Sequence, residues 1–563
     1  MKEAKTVKLI FPKLGHFWLD SGLIGFMKIL NKTKPDIQII ENDTKLVLKG
    51  DQESLQNCLE KAYDQLIADY YNLSTEKQRN TKHAYNFYYD SEKDNFIAFP
   101  KKKSPGIASV IFSKAPRPSG TSVKWYKKGK KEIVINGKKV NKNRHQLPES
   151  HQHLQQRMTE FLDANKLDIT TAGLLIDGEN QIRPKVNIKT KMTKAKGVCY
   201  LCGKSSHALE DAKETIFPLI TGSAGVLSFN SQGHKPEKVC WKCSLLGKFI
   251  PVNGFYYSQG GNLYIFLPYS VSLTKMSDVW APMQESKYDD PNLYKNFDHP
   301  LGGYFQRPFE VSFAFLYNVY KKVLQKQKTE QEDQNDVVTV EELFELTLSK
   351  AQLEFYVLHL ESKGQTKMCK MAWPFRDSVY FFRLLKMLKQ QNIKSREIMR
   401  LLIDFTQTKN ENKTIIRNRV CERILKKQSV LDLIEKHVFH AALNYIGPLL
   451  DFVVIYEPIV RAEDDMTEEE QETAVKLGKR LGVVVGKEGK KGDLFALRKA
   501  RTKIDFLEQL NRLQFRLGKN LVIPPGVYEG HLKDDNFSEF KQFSMISAVN
   551  SFNAITSVKK GEK

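Results

Sequence analysis

Cys199-Tyr200-Leu201-Cys202-Gly203 and Cys240-Trp241-Lys242-Cys243 stand at the centre of a 563-residue chain. Each is a CxxC knuckle that can present two thiols from one tight turn, and 37 residues separate the second cysteine of the first from the first cysteine of the second. Four thiolates close the tetrahedral shell of a structural Zn2+ ion, so Cys199, Cys202, Cys240 and Cys243 are the expected metal ligands. Four sulfurs leave no open position for water, which argues against an enzymatic zinc. Four buried free thiols, or a redox pair, are the competing readings. His207 and His234 lie between the knuckles and are read as surface or core residues rather than ligands.

The remaining cysteines, Cys58, Cys369 and Cys421, bring the total to an odd seven. So sparse a set makes a disulfide framework improbable and fits a reducing cytoplasm. No run approaches the roughly 18 to 20 apolar residues of a membrane span, and the opening residues lack an apolar signal segment. A membrane partner is therefore not expected. With 41% hydrophobic and 11% aromatic residues, the chain can bury substantial cores.

The charge is uneven. Lysine and arginine number 88 against 65 acids, a net +23, which points to an acidic polymer as partner. Between residues 101 and 144, fourteen bases face the single acid Glu132, for +13. The nucleic-acid-binding candidates there are Lys101, Lys102, Lys103, Lys124, Trp125, Tyr126, Lys127, Lys128, Lys130, Lys131, Lys138, Lys139, Lys142 and Arg144. Lysines neutralise phosphates while Trp125 and Tyr126 offer faces on which bases stack. A solvated charged loop is the alternative. Glu132 to Val140 reads as a hairpin turning at Asn136-Gly137. A second basic segment from Arg183 to Lys196 leads into the first knuckle.

On the amino-terminal side, Thr6 to Phe11 reads as a strand that turns into a helix near Gly15 to Gly25. The glycines of that stretch match neither GxGxxG nor the P-loop, so a packed turn is preferred to a phosphate cradle. Leu55, Leu59, Ala62, Leu66 and Tyr70 recur at helical spacing behind Asp51 and Ser54, and Leu154, Met158, Phe161 and Leu162 mark another helix. Gln325 to Asp336 reads as a linker or an exposed helix end. Leu343, Leu346, Leu353, Val357 and Leu360 then open a largely helical half that continues through Val379–Leu388, Glu397–Phe405, Arg419–Tyr445 and Thr502–Leu517. The acids from Glu463 to Glu472 suit a helix N-terminus. His437 and His440, lacking partners, read as ordinary helix residues.

The expected fold class is α+β, with five regions: 1–198, a mixed N-terminal region with basic loops; 199–245, the four-cysteine zinc module; 246–330, a connecting α/β region; 331–462, helical; and 463–563, a C-terminal helical bundle. No catalytic residues are assigned, since no nucleophile-base arrangement announces itself. The knuckles, Thr215-Ile216-Phe217-Pro218 and Asn230 resemble the scaffold of zinc-stapled HNH nucleases, but Thr215, Ile216 and Phe217 stand where those enzymes carry their Asp-His pair. Without that general base and metal ligand, nuclease chemistry is not expected.

The two knuckles in a basic chain of this size, together with Trp18-x-Asp20-x-Gly22 and a helical C-terminal third, resemble the CXXC-CXXC large subunit of a type I CRISPR interference complex, or Cascade, of the I-B branch. The resemblance implies a non-catalytic subunit that contacts guide RNA and target double-stranded DNA and recognises the target-flanking motif. It also implies binding to the backbone and handle-binding Cascade subunits and recruitment of a helicase-nuclease. A C-terminal bundle would hold the displaced strand, and base pairing would read most of the sequence. It further suggests a separate small subunit made by internal initiation. Starting at Met466 it would have 98 residues, with 18 bases and 13 acids for +5, and Met399 is an equally open start. The alternatives in other classes are a stand-alone zinc-containing nucleic-acid enzyme and a zinc-ribbon RNA-binding protein.

Overall fold

The structure, a computed structural model, describes residues 6–66, 69–70, 85–90, 94–100, 133–135, 138–141, 149–166, 174–176, 195–206, 209–211, 238–259, 261–280, 301, 305–333, 354–363, 366–441, 443–461 and 466–561. The fold is α+β, and the chain divides into two compact units, Met1–Phe297 with Val338–Arg376 and Asp298–Val337 with Asp377–Lys563. Among the described residues, no helix is long and apolar enough to cross a membrane.

The first unit begins as its sequence suggests. Strand β1 (Val7–Pro12) pairs antiparallel with β3 (Lys45–Gly50), which also pairs with β2 (Gln38–Asn42). Leu9 sits opposite Leu48 and Phe11 opposite Leu46, so one face of the sheet enters the core. Helix α1 (Phe17–Thr33) is capped by His16, whose Nδ1 accepts the Trp18 amide at 3.2 Å, and it ends at Lys34 in the left-handed region with φ 43°. Asp20 in its first turn is buried, yet it accepts the Lys13 ammonium at 2.9 Å and the Leu14 amide at 2.8 Å. A carboxylate satisfied this way is tolerated in a core. Helix α2 (Gln52–Leu66) starts at Asp51, whose carboxylate accepts the Glu53 and Ser54 amides, and buries the expected Leu55, Leu59, Ala62 and Leu66. Tyr70 lies past its end, half-buried against the same core.

A small mixed sheet follows, of β4 (Tyr85–Asp90), β5 (Asn95–Pro100) and β8 (Leu174–Ile176), in the order β5-β4-β8 with β4 and β8 parallel. The expected hairpin is present as β6 (Ile133–Ile135) against β7 (Lys138–Asn141). Helix α3 (Gln155–Ala164) buries Met158 and Leu162. The knuckle strands β9 (Gly197–Val198), β10 (Ser205–Ser206), β11 (Leu209–Asp211) and β12 (Lys238–Cys240) form two short ladders, after which α4 (Trp241–Lys248) runs into the core.

The last sheet of this unit is an antiparallel meander of β13 (Phe255–Gln259), β14 (Asn262–Tyr269), β15 (Glu354–Lys363) and β16 (Thr366–Phe375), with α5 (Leu273–Trp280) following β14. It corrects the expectation that Val357 and Leu360 belong to a helix in a helical 331–462 region. Both lie on β15, on opposite faces, and both are buried. A strand covered on both sides carries a near-continuous apolar run, and its i, i+3 spacing imitates a helix stripe. Leu343, Leu346 and Leu353 lie outside the described residues.

The second unit has helices and no strand among its described residues. Helix α6 (Pro308–Asp333) carries the polar residues from Gln325 to Asp333 as its own C-terminal end, the rest of that run lying outside the described residues. There follow α7 (Ser378–Gln390), α8 (Ser395–Leu401), α9 (Ile415–Leu425), α10 (Leu431–His440), α11 (Gly447–Val460), α12 (Glu468–Glu488), α13 (Gly492–Lys499), α14 (Lys503–Leu517) and α15 (Phe537–Gly561), with a single helical turn at Asn410–Lys413. The segment Arg419–Tyr445 thus resolves into two helices, broken where Lys427 takes φ 53°. His437 and His440 are helix residues of α10, as expected.

Glu310 and Arg417 form an ion pair of 2.7 Å with both side chains buried, and Arg417 also lies over the Phe305 ring. The acids of α12 occupy its first turn, where Thr467 and Glu470 close a capping box. Gly478 and Gly482 let α12 reach α15 closely: a Cβ on either would stand 2.1 or 2.2 Å from the Ser544 or Ala548 carbonyl oxygen.

Candidate metal centre

The first knuckle is shaped by its backbone. The Cys199 amide donates to the Lys204 carbonyl at 2.9 Å and the Gly203 amide returns to the Cys199 carbonyl at 2.9 Å. Gly203 takes φ 68°, the left-handed conformation that a glycine adopts without strain. The Tyr200 amide reaches the Lys238 carbonyl at 3.0 Å and ties this turn to β12. The second knuckle begins where β12 ends, with Cys240 as N-cap of α4 and Cys243 in its first turn. The helix therefore turns its positive end toward the sulfurs.

These elements bring all four thiols together. The ligand atoms of Cys199, Cys202, Cys240 and Cys243 lie within 4.8 Å of one another, and the Cys202 and Cys240 sulfurs are 3.9 Å apart. Bonds of about 2.3 Å in a tetrahedral Zn–S4 shell set neighbouring sulfurs roughly 3.8 Å apart. The donor set and the spacing both fit one metal ion. Cys199, Cys240 and Cys243 are buried and Cys202 is half-buried.

The thiols also share charge. Hydrogen bonds from Cys240 and Cys243 hold the Cys199 thiol far below its usual range. The same bonds, reinforced by burial, push Cys240 up to about 12 and Cys243 higher still. A divalent cation in place of the shared protons would stabilise all four as thiolates. The Cys240 amide already donates to the Cys199 sulfur at 3.2 Å, a backbone contact typical of thiolate ligands. Lys242, between the two cysteines of the second knuckle, donates to the Ile10 carbonyl at 2.7 Å. Its burial lowers its pKa, against the pull of the Cys240 sulfur.

The described knuckle residues are built into the surrounding core. Cys199, Cys240 and Cys243 belong to the same buried cluster as Leu9, Phe11, Trp18, Leu46 and Leu59. Trp241 packs edge-on against Phe11 with ring centroids 6.0 Å apart, and Phe26 meets Phe249 at 4.9 Å. The described knuckle residues therefore share one core with α1, α2, β1 and β3. Trp18, Asp20 and Gly22 likewise prove to be structural: the indole is fully buried, the carboxylate is paired with Lys13, and Gly22 meets α4.

Of the basic candidates, Lys138 and Lys139 lie on β7 of the hairpin. Lys101, Lys102, Lys103, Lys124, Trp125, Tyr126, Lys127, Lys128, Lys130, Lys131, Lys142 and Arg144 lie outside the described residues, as do His207, His234, Thr215 to Pro218 and Asn230. A further basic segment, not singled out above, lies in the helical unit. Residues 476–519 contain thirteen bases and four acids, for +9 in 44 residues. On α14, Phe515 is 93% exposed, one turn beyond Asn511, whose Oδ1 accepts the hydroxyl of the exposed Tyr528 at 2.8 Å. Arg512, Arg516 and Lys519 are exposed beside it. The signal was in the sequence, but acids at 468–472 and 534–539 dilute it when the C-terminal region is summed as a whole. Compared with known proteins, the chain matches no family model and no curated protein sequence.

Proposed function

We propose that this protein is the non-catalytic large subunit of a type I CRISPR RNA-guided surveillance complex. In this reading it binds guide RNA and target double-stranded DNA, recognises the motif flanking the target, and helps recruit the helicase-nuclease for antiviral defence. The observation that carries the reading is the meeting of two CxxC knuckles in one four-sulfur cluster, within a chain of net charge +23. A closed thiolate shell suits structural zinc and leaves no site for an activated water. The metal is then a staple, and the activity is binding.

Two basic regions support nucleic acid as the partner. The 101–144 segment combines lysines with Trp125 and Tyr126, and the 476–519 segment combines bases with exposed Phe515, near the exposed Tyr528 that bonds Asn511. Cations beside accessible rings suit a phosphate backbone with unstacked bases. The neighbours in the complex would be the backbone and handle-binding subunits, in the cytoplasm. The C-terminal product from Met466 would contain α12 to α15, including the close α12–α15 contact.

The test is to purify the tagged protein from its native cell and sequence the RNA that accompanies it. Uniform short RNAs with a constant 5′ handle and variable guides are expected. Heterogeneous RNA, or none, without stable protein partners would overturn the reading in favour of a zinc-ribbon RNA-binding protein. Turnover of labelled nucleic acid by the pure protein would instead favour an enzyme.

A further inference from the structure

We infer that Gly22 and Gly25 of α1 are positioning residues for the metal centre, so that metal retention and the seating of the N-terminal helix are one coupled equilibrium. The inference rests on the metal assignment and adds to it the device by which the rest of the unit holds the site. A Cβ on Gly22 would stand 2.2 Å from the Leu246 carbonyl oxygen, and one on Gly25 would stand 2.2 Å from the Phe249 carbonyl oxygen. Both contacts are to backbone, which cannot swing aside as a side chain can. Leu246 is in the last turn of α4, the helix whose first turn supplies Cys243 and whose N-cap is Cys240. Half of the ligand set is thus carried by a short helix whose far end is seated directly on α1.

A second contact links the same helix to β1. The Lys242 ammonium donates to the Ile10 carbonyl at 2.7 Å and lies over the Phe11 and Trp241 rings. An eight-residue helix is marginal by itself, so its direction is set by what it packs on. With α1 and β1 in place, α4 points Cys240 and Cys243 at the first knuckle. With metal bound, the knuckles in turn fix α4 and give α1 its partner. Linkage makes the coupling reciprocal: a change that unseats α1 weakens metal binding, and loss of metal loosens α1.

The test begins with the unaltered full chain. Its metal is removed by a chelator, and amide hydrogen exchange is followed in Trp18–Leu30, with Phe540–Val549 of α15 as internal control. Exchange in α1 should accelerate at least about tenfold while the control stays unchanged. In parallel, Gly22→Ala and Gly25→Ala should each release zinc to a chromophoric chelator about tenfold faster than the parent. Unchanged α1 protection after metal removal would overturn the coupling, as would a folded Gly22→Ala chain that keeps its zinc as long as the parent does. The exchange experiment decides even where the alanine variants fail to fold. A chain that purifies without metal overturns the metal assignment and the coupling together, whereas a metal-bearing chain with unresponsive α1 overturns the coupling alone.

Discussion

The two units stabilise themselves by different means. In the first, strands of two small sheets share one core with a buried α1, and four thiols are brought within 4.8 Å of one another at the edge of that core. In the second, helices close on one another through apolar faces, a buried ion pair and the glycines of α12. Short strands with few ladder bonds gain from a metal cross-link, while long helices already satisfy their own backbones and need only a packed face. The comparison teaches that metal dependence should be local to one unit although both belong to one chain.

The largest expected effect breaks the first unit alone. Cys240→Ser removes one sulfur ligand while leaving a good N-cap residue on α4, and since structural zinc in small modules is worth about 10–16 kcal/mol of apparent binding energy, metal should be lost and the first unit's unfolding transition with it. Metal analysis and circular dichroism would check this, with the helical signal of the second unit surviving. Breaking the second unit's ion pair is the converse. Glu310→Gln leaves Arg417 buried without its counter-charge and should cost about 3–5 kcal/mol in that unit's unfolding, with zinc content unchanged.

A smaller effect depends on pH. Burial raises the pKa of Glu457 to about 7, although its Oε1 accepts the Val430 amide at 2.8 Å. Because the folded pKa lies above the unfolded 4.5, this group's contribution is full below pH 4.5 and is lost as pH rises through about 7. Glu457→Gln keeps an acceptor for Val430 and should stabilise the second unit by up to about 3 kcal/mol near pH 8, with little change near pH 4. Thermal melts at the two pH values would show it. The smallest effects concern binding. Phe515→Ala should weaken single-stranded nucleic-acid binding by about 1–3 kcal/mol without moving the melt. Replacing Lys127, Lys128, Lys130 and Lys131 by alanine should flatten the dependence of binding on salt, and an unchanged slope would assign the contacts to the helical unit instead.

Much of this contrast can be read from the residues. The knuckle spacing names the four ligands because CxxC pairs have few other uses. Asp51 and Thr502 stand at expected helix starts, and each is found capping one. The meander was illegible because β15 is apolar on both faces and its pairing with β14 spans a long stretch of intervening chain. Gly22 and Gly25 looked like loop residues, since the close approach that requires them comes from α4, more than two hundred residues onward. Likewise, the union of the knuckles with the N-terminal core is a long-range contact that no local pattern encodes.

The most direct test of the central claim is metal content measured on the same purified full-length sample whose thermal unfolding is followed with and without chelator. The account predicts about one zinc per chain. Removing it should abolish the first unit's transition and leave that of the helical unit in place. A metal-free chain that unfolds identically with and without chelator would contradict it.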